Sequence, residues 1–197
     1  MSRLRSVGYV ALGAVLFGIT MAVVKGDHPG LRGAIGNLSA PWLLVAFLPA
    51  LRCRSAGRGA VTGLTSTVAA LAGFYATLTV VLAGHLHGGG YLRELAVETS
   101  ANRIYFVAGL VTGPLMGVLG AWVGTRYPAA AAYVVGGLVA TEAAAVALVQ
   151  GHQLAPPPFY FSWAVDDWRP YLAETLIGVL VLGAALWRSR RRVSGGA

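Results

Sequence analysis

The sequence predicts an all-α fold: a polytopic membrane bundle of about six transmembrane helices, forming one integral membrane domain over residues 1–197. Three observations carry that reading. Of the 197 residues, 56% are hydrophobic and 11% charged, far below the roughly 25% charged share of ordinary soluble domains. Apolar runs of the length that crosses a hydrocarbon core recur near 7–24, 41–51, 60–84, 104–124, 129–150 and 170–187. The basic residues are also distributed by position. With the N-terminus inside, Arg3, Arg5, Arg52, Arg54, Arg58, Arg126, Arg188, Arg190, Arg191 and Arg192 all fall on the cytoplasmic side, ten of the 15 Lys and Arg. The positive-inside rule then puts both termini in the cytoplasm and the protein in the cell membrane.

The first run, within "MSRLRSVGYVALGAVLFGITMAVVKG", begins like a signal peptide, but it is long and no A-x-A site follows, so it reads as a first transmembrane helix. The second run is short, and "LRGAIGNLS" (31–39) is expected to join it as an interfacial or re-entrant segment. In the fourth, Gly109, Gly113 and Gly117 recur every four residues, the stripe that lets two helix backbones meet. Pro114 is expected to kink that helix. In the fifth, Gly136, Ala140 and Ala144 form a second stripe, and Glu142 projects from nearly the opposite side. The sixth is expected to start with Asp167 as N-cap and Pro170 in its first turn.

The formal charge of +8 follows this topology, and no nucleic-acid motif accompanies it. The single cysteine, Cys53, excludes a disulfide or a CxxC site within one chain. His85 and His87 in "HLHGGG" have a spacing that a metal could use, but no further ligands lie nearby, so no metal and no cofactor is expected. The paired Asp166 and Asp167 fit a helix start better than a magnesium site.

All 7 acids avoid the cytoplasmic segments: Asp27, Glu94, Glu98, Asp166 and Asp167 lie in outer loops, and Glu142 and Glu174 in the outer parts of their helices. Either acids are simply tolerated on the translocated side, or a site opens outward. Glu142, an intramembrane carboxyl, is a functional candidate by default, or else a structural hydrogen-bond partner for another helix. Glu174 follows Tyr171 at i+3, so both face one cavity, or Glu174 answers the helix dipole. The loop "KGDHPGLRGAIGNLSAPW" (25–42) gathers Asp27, His28, Arg32, Asn37 and Trp42, and "VETSANRIYF" (97–106) offers Glu98, Asn102, Arg103 and Tyr105. Aromatic residues concentrate towards the same side, as interface anchors or as π faces for a cation. "APPPFYFSW" (155–163) reads as a stiff lid or collar.

The segments "TMAVVKGDHPGLRGAIGNLSAPWLLVAF", "GFYATL" and "VETSANRIYFVAGLVTGPLMGVLGAWVG" resemble small six-helix bacterial membrane proteins, and among them the membrane terpene cyclases of indole-sesquiterpenoid, drimentine-type pathways. That resemblance implies a metal-independent enzyme that protonates a farnesyl-type chain on an indole-containing, prenylated substrate. Ring closure through carbocations and loss of a proton follow. Such chemistry needs an acid, a dry cavity, aromatic faces and a base. The resemblance implies Glu142 as acid, with Asp27 and Glu98 next, and Glu174, Asp166 or His152 as orienting group or base. Trp42, Tyr75, Asn102, Tyr105, Trp163 and Tyr171 would contact the substrate. The rival reading is a small transporter, or the substrate-binding membrane subunit of one, with an outward pocket and a proton-binding Glu. A third is an accessory protein in which the glycine stripes do the main work. On each reading the partner is the lipid bilayer, with no nucleic acid.

Overall fold

The computed structural model describes residues 3–27, 30–82, 90–155, 161–162 and 164–194. It is an all-helical bundle: α1 (Arg3–Lys25), α2 (Leu31–Gly36), α3 (Ser39–Ala50), α4 (Ala56–Val81), α5 (Tyr91–Ala101), α6 (Arg103–Arg126), α7 (Ala131–Val149) and α8 (Arg169–Ser194). Among the described residues, six segments are long and apolar enough to cross a membrane. Their outward faces carry apolar side chains such as Leu16, Leu115, Leu148 and Leu180, which is the surface a bilayer covers.

The second span differs from the expected 41–51. α2 and α3 together fill Leu31–Ala50, broken at Asn37 and Leu38, so the anticipated extra segment is a short helix stacked before the main one. A further helix, α5, precedes α6 and ends at Ala101, with Asn102 between the two. α6 runs unbroken through Pro114. A two-stranded antiparallel ladder, β1 (Gln153–Ala155) with β2 (Phe161–Ser162), joins α7 to α8.

The glycines explain how tightly the bundle closes. Gly59 and Gly63 of α4 face Gly117 and Gly113 of α6: a Cβ at Gly59, Gly63 or Gly117 would strike the backbone of the opposite helix, and one at Gly113 would strike the Thr67 side chain. The stripe read from α6 therefore has its counterpart on α4. Gly120 meets Phe47 and Ala50 of α3 in the same way, and Gly18 of α1 meets Ala70 and Phe74 of α4. These contacts set α4 antiparallel to α6 and α3 parallel to α6, while α1 runs parallel to α4, its Lys25 end lying with Leu78 and Leu82 on one cavity. Gly136 of α7 lies against Leu182 and Gly178 of α8, and Gly178 against Ala140, so the second predicted stripe also joins two helices. Two apolar clusters result. Met21, Leu71, Phe74, Tyr75 and Leu78 pack between α1 and α4, whereas Ala34, Leu38, Val146 and Tyr171 pack where the α7–α8 hairpin meets α2 and α3.

Candidate functional site

The ends of α1, α4 and α6, with α2, α3 and α5, enclose a cavity of about 610 Å³, within the roughly 300–1,000 Å³ range of small-molecule sites. Its deeper wall is apolar: Leu43 from α3, Leu71, Phe74, Tyr75 and Leu78 from α4, and Ala108 and Gly109 from α6. Aromatic rings run through this wall edge to face. Phe17 meets Trp42 at 5.2 Å between centroids, Trp42 meets Phe74 at 5.3 Å, Phe74 meets Tyr75 at 5.1 Å, and Tyr75 stacks on Phe106 at 4.9 Å. Such pairs fix ring orientation and so define the cavity's shape.

The rim is polar. Lys25, Asp27, Asn37, Glu98, Asn102 and Asp166 all line the cavity. Lys25 is the last residue of α1, and its ammonium donates to Asn37 Oδ1 at 3.0 Å while lying 5.7 Å from the Phe74 ring centroid. Gly36 makes that path possible, since a Cβ there would lie 2.9 Å from Lys25 Cγ. Gly26, at φ 55°, turns the chain directly after Lys25 and puts Asp27 on the same rim. Arg32 reaches back from α2 to the Val23 and Val24 carbonyls, both at 2.9 Å, and fixes α2 across the end of α1. Opposite, Asn102 Nδ2 donates to the Glu98 carbonyl at 2.9 Å and to its carboxylate at 3.4 Å. The charges of Lys25 and Glu98 attract each other across the opening. Deeper in, Thr67 lines the cavity, and its hydroxyl oxygen is buried without a hydrogen-bond partner.

The residues expected to act together divide into two places. Asp27, Glu98, Trp42, Tyr75, Asn102 and Tyr105 line the cavity. Glu142, Glu174 and Tyr171 are buried behind its wall, at 6%, 7% and 1% exposure, and none of the three lines it. Glu142 accepts hydrogen bonds from the backbone N–H groups of Ser39 and of Ala40, the latter at 2.6 Å. These are the first two residues of α3, whose preceding residue Leu38 supplies no side-chain cap. A carboxyl from another helix thus satisfies N–H groups that the helix itself leaves open. The Glu174 carboxyl is buried next to that of Glu142, and its Oε2 has no hydrogen-bond partner. Ser39 connects the two places, since it lines the cavity and bonds to Glu142.

Asp167, the expected N-cap, accepts from the Arg169 backbone N–H at 2.9 Å and pairs with its guanidinium at 2.6 Å, so it caps α8, which starts at Arg169, from one position before Trp168, the residue that precedes the helix. Hydrogen bonds from Arg169 hold its carboxyl below the usual aspartate range. His152 is exposed in the turn after α7. Trp163, His28, His85, His87 and most of "APPPFYFSW" lie outside the described residues. Lys25 is the rim residue that the sequence reading passed over, because a lysine closing an apolar helix reads as an ordinary helix end.

Neither the curated proteins nor the solved structures searched give a match to this chain. A family model described as a family of unknown function, DUF6518, matches residues 1–196, and with that nearly complete match the chain belongs to the DUF6518 family.

Proposed function

We propose that this is a small-molecule-binding protein of the cell membrane, a small transporter or the substrate-binding subunit of one, whose cavity takes an amphipathic solute. The carrying observation is the cavity's polarity gradient. An aromatic and aliphatic wall formed by Trp42, Leu71, Phe74, Tyr75 and Leu78 leads to a rim bearing Lys25, Asp27, Glu98 and Asp166. The apolar part of a solute is held against rings of fixed orientation, and its head group meets one cation and several carboxyls. Arginines Arg52, Arg54, Arg58, Arg126, Arg188, Arg190 and Arg191 gather at the opposite end of the helices, which supports cytoplasmic termini and a rim that faces outward.

Acid-initiated cyclisation of a prenylated substrate is the second reading, and the ring series from Trp42 to Phe106 favours it, because π faces stabilise a cation. Its acid must touch the reacting double bond. The two buried carboxyls Glu142 and Glu174 stand behind the cavity wall. On this reading the reacting acid is therefore Asp27 or Glu98.

The two readings separate in one experiment. Protein in nanodiscs is incubated in heavy water with a farnesylated indole diketopiperazine and, separately, with a panel of labelled amphipathic solutes. Bound and free compounds are then analysed by mass spectrometry. Retention of an unchanged compound, weakened by Lys25→Met and Glu98→Gln, is the expected result. A new isomer carrying solvent deuterium overturns the binding-protein reading in favour of the cyclase, and retention of nothing overturns both.

A further inference from the structure

We propose that Glu142 and Glu174 form a proton-binding site linked to the cavity through the first turn of α3. The proposal rests on the reading of the cavity as a solute site and adds its regulation. Both carboxyls are buried where α7 packs on α8, and two carboxylates have only acceptors to offer each other, so a proton held by one of them relieves their contact. Both Glu142 oxygens already accept from backbone N–H groups, which assigns that proton to Glu174. Glu174 Oε2 is buried with no partner of its own. An unpartnered oxygen on a side chain 7% exposed makes the site more than a helix end.

The surroundings isolate the pair. α3 carries no charged residue, and α7 carries no second acid or base except Tyr133 near its far end. On α8, Arg169 is engaged with Asp167, and Tyr171 belongs to the apolar cluster with Ala34, Leu38 and Val146. On α2, Arg32 is turned to the α1 carbonyls, and Lys25 of α1 reaches Asn37. On α6, Arg103 and Arg126 mark the two ends, and Tyr105 lines the cavity along with Asp166 of the loop before α8. Loss of the Glu174 proton leaves two like charges in contact in an apolar setting, and they repel. The movable parts are the hairpin carrying both acids and the α3 start, whose Ser39 and Trp42 form the cavity wall. Proton release at the pair therefore changes the shape of the cavity, and a bound solute changes the proton affinity of the pair by the same factor.

The test uses the full chain in nanodiscs, without added solute. Infrared difference spectra across a pH titration follow the carbonyl stretch of a protonated carboxyl, and Trp42 emission, identified by subtracting a Trp42→Phe variant, follows the cavity wall. The wild type is expected to lose the carboxyl band and change Trp42 emission in one shared transition. Glu174→Gln keeps a donor facing Glu142 and cannot titrate, so both changes vanish in a folded protein. Absence of the band at every pH, a Trp42 transition at a different pH, or a transition that survives in Glu174→Gln overturns the proposal. If the variant does not fold, coincidence or separation of the two wild-type transitions decides. None of these readouts uses a ligand, so failure of the solute reading leaves them intact.

Discussion

The helical body and the α7–α8 hairpin are joined in opposite ways. In the body, α1, α3, α4 and α6 meet where side chains are missing: Gly59 and Gly63 against Gly113 and Gly117, Gly18 against Ala70, and Gly120 against Phe47. The hairpin closes on itself by the same means, at Gly136 and Gly178. It meets the body through apolar contacts around Tyr171 and through two buried hydrogen bonds from α3 to Glu142. In lipid there is no hydrophobic drive between helices, so close backbone packing is a fixed joint and a polar contact is an adjustable one. The cavity lies inside the fixed part and borders the adjustable one at Ser39.

Gly63→Leu gives the largest expected effect. Its side chain would enter the α6 backbone at Gly113 and Gly117, where no rotamer can relieve the overlap. The loss should exceed the ~1–3 kcal/mol typical of overpacking, read as failure to purify folded protein or as a large fall in thermal midpoint. Gly137→Ala, on a helix face with nothing within 4 Å, is the control and should be nearly neutral. Equal damage from both would remove the distinction between joint and surface.

Glu142→Ala comes next. It strips the Ser39 and Ala40 N–H groups of their acceptor and leaves Glu174 buried alone, at about 1–3 kcal/mol per orphaned group. Hydrogen exchange should rise at the start of α3 and along the hairpin, while α4 and α6 keep their protection. Uniform loss of protection would mean that the hairpin and body form one cooperative unit. Lys25→Met should change the thermal midpoint little, because at the rim its contacts with Asn37 and the Phe74 ring and its attraction to Glu98 are each modest. Its effect belongs to binding. A solute with an anionic head group should bind about tenfold more weakly or worse, from the ~1.5–3 kcal/mol of a hydrogen bond to a charged group. Unchanged affinity would move the head group to the acidic side of the rim.

Much of this contrast was legible in the sequence. The spans followed from apolar length, and both small-residue stripes turned out to be helix contacts because backbone approach depends on local spacing alone. The break at Asn37, separate α5 and the role of Gly36 were not legible. They depend on which helix lies across which, as with Lys25, whose route to Asn37 exists only because Gly36 of another helix has no side chain. Asp27, Glu98, Trp42, Tyr75, Asn102 and Tyr105 were legible as neighbours because they cluster at helix ends on one side. Glu142 was legible as an unusual residue, but its partners are backbone N–H groups about a hundred positions away, and backbone leaves no mark in composition.

The smallest expected effect tests the one ion pair at the hairpin's own entry. Asp167 is held below the ordinary aspartate range by hydrogen bonds from Arg169, so the folded chain keeps this carboxylate charged more readily than the unfolded chain does. Its stabilising contribution is therefore complete above the ordinary aspartate value near 3.9 and is lost as pH falls through the lowered folded value. Asp167→Asn should remove only that acid-side loss, leaving stability near neutral pH almost unchanged because the Arg169 side of the pair is open to solvent and screened by salt. Thermal midpoints measured from pH 6 down to pH 3, at low and high salt, check this. A variant curve that diverges from wild type near neutral pH would mean that this pair, as well as the buried carboxyls, holds the hairpin in place, and the contrast between fixed and adjustable joints would have to include the loop before α8.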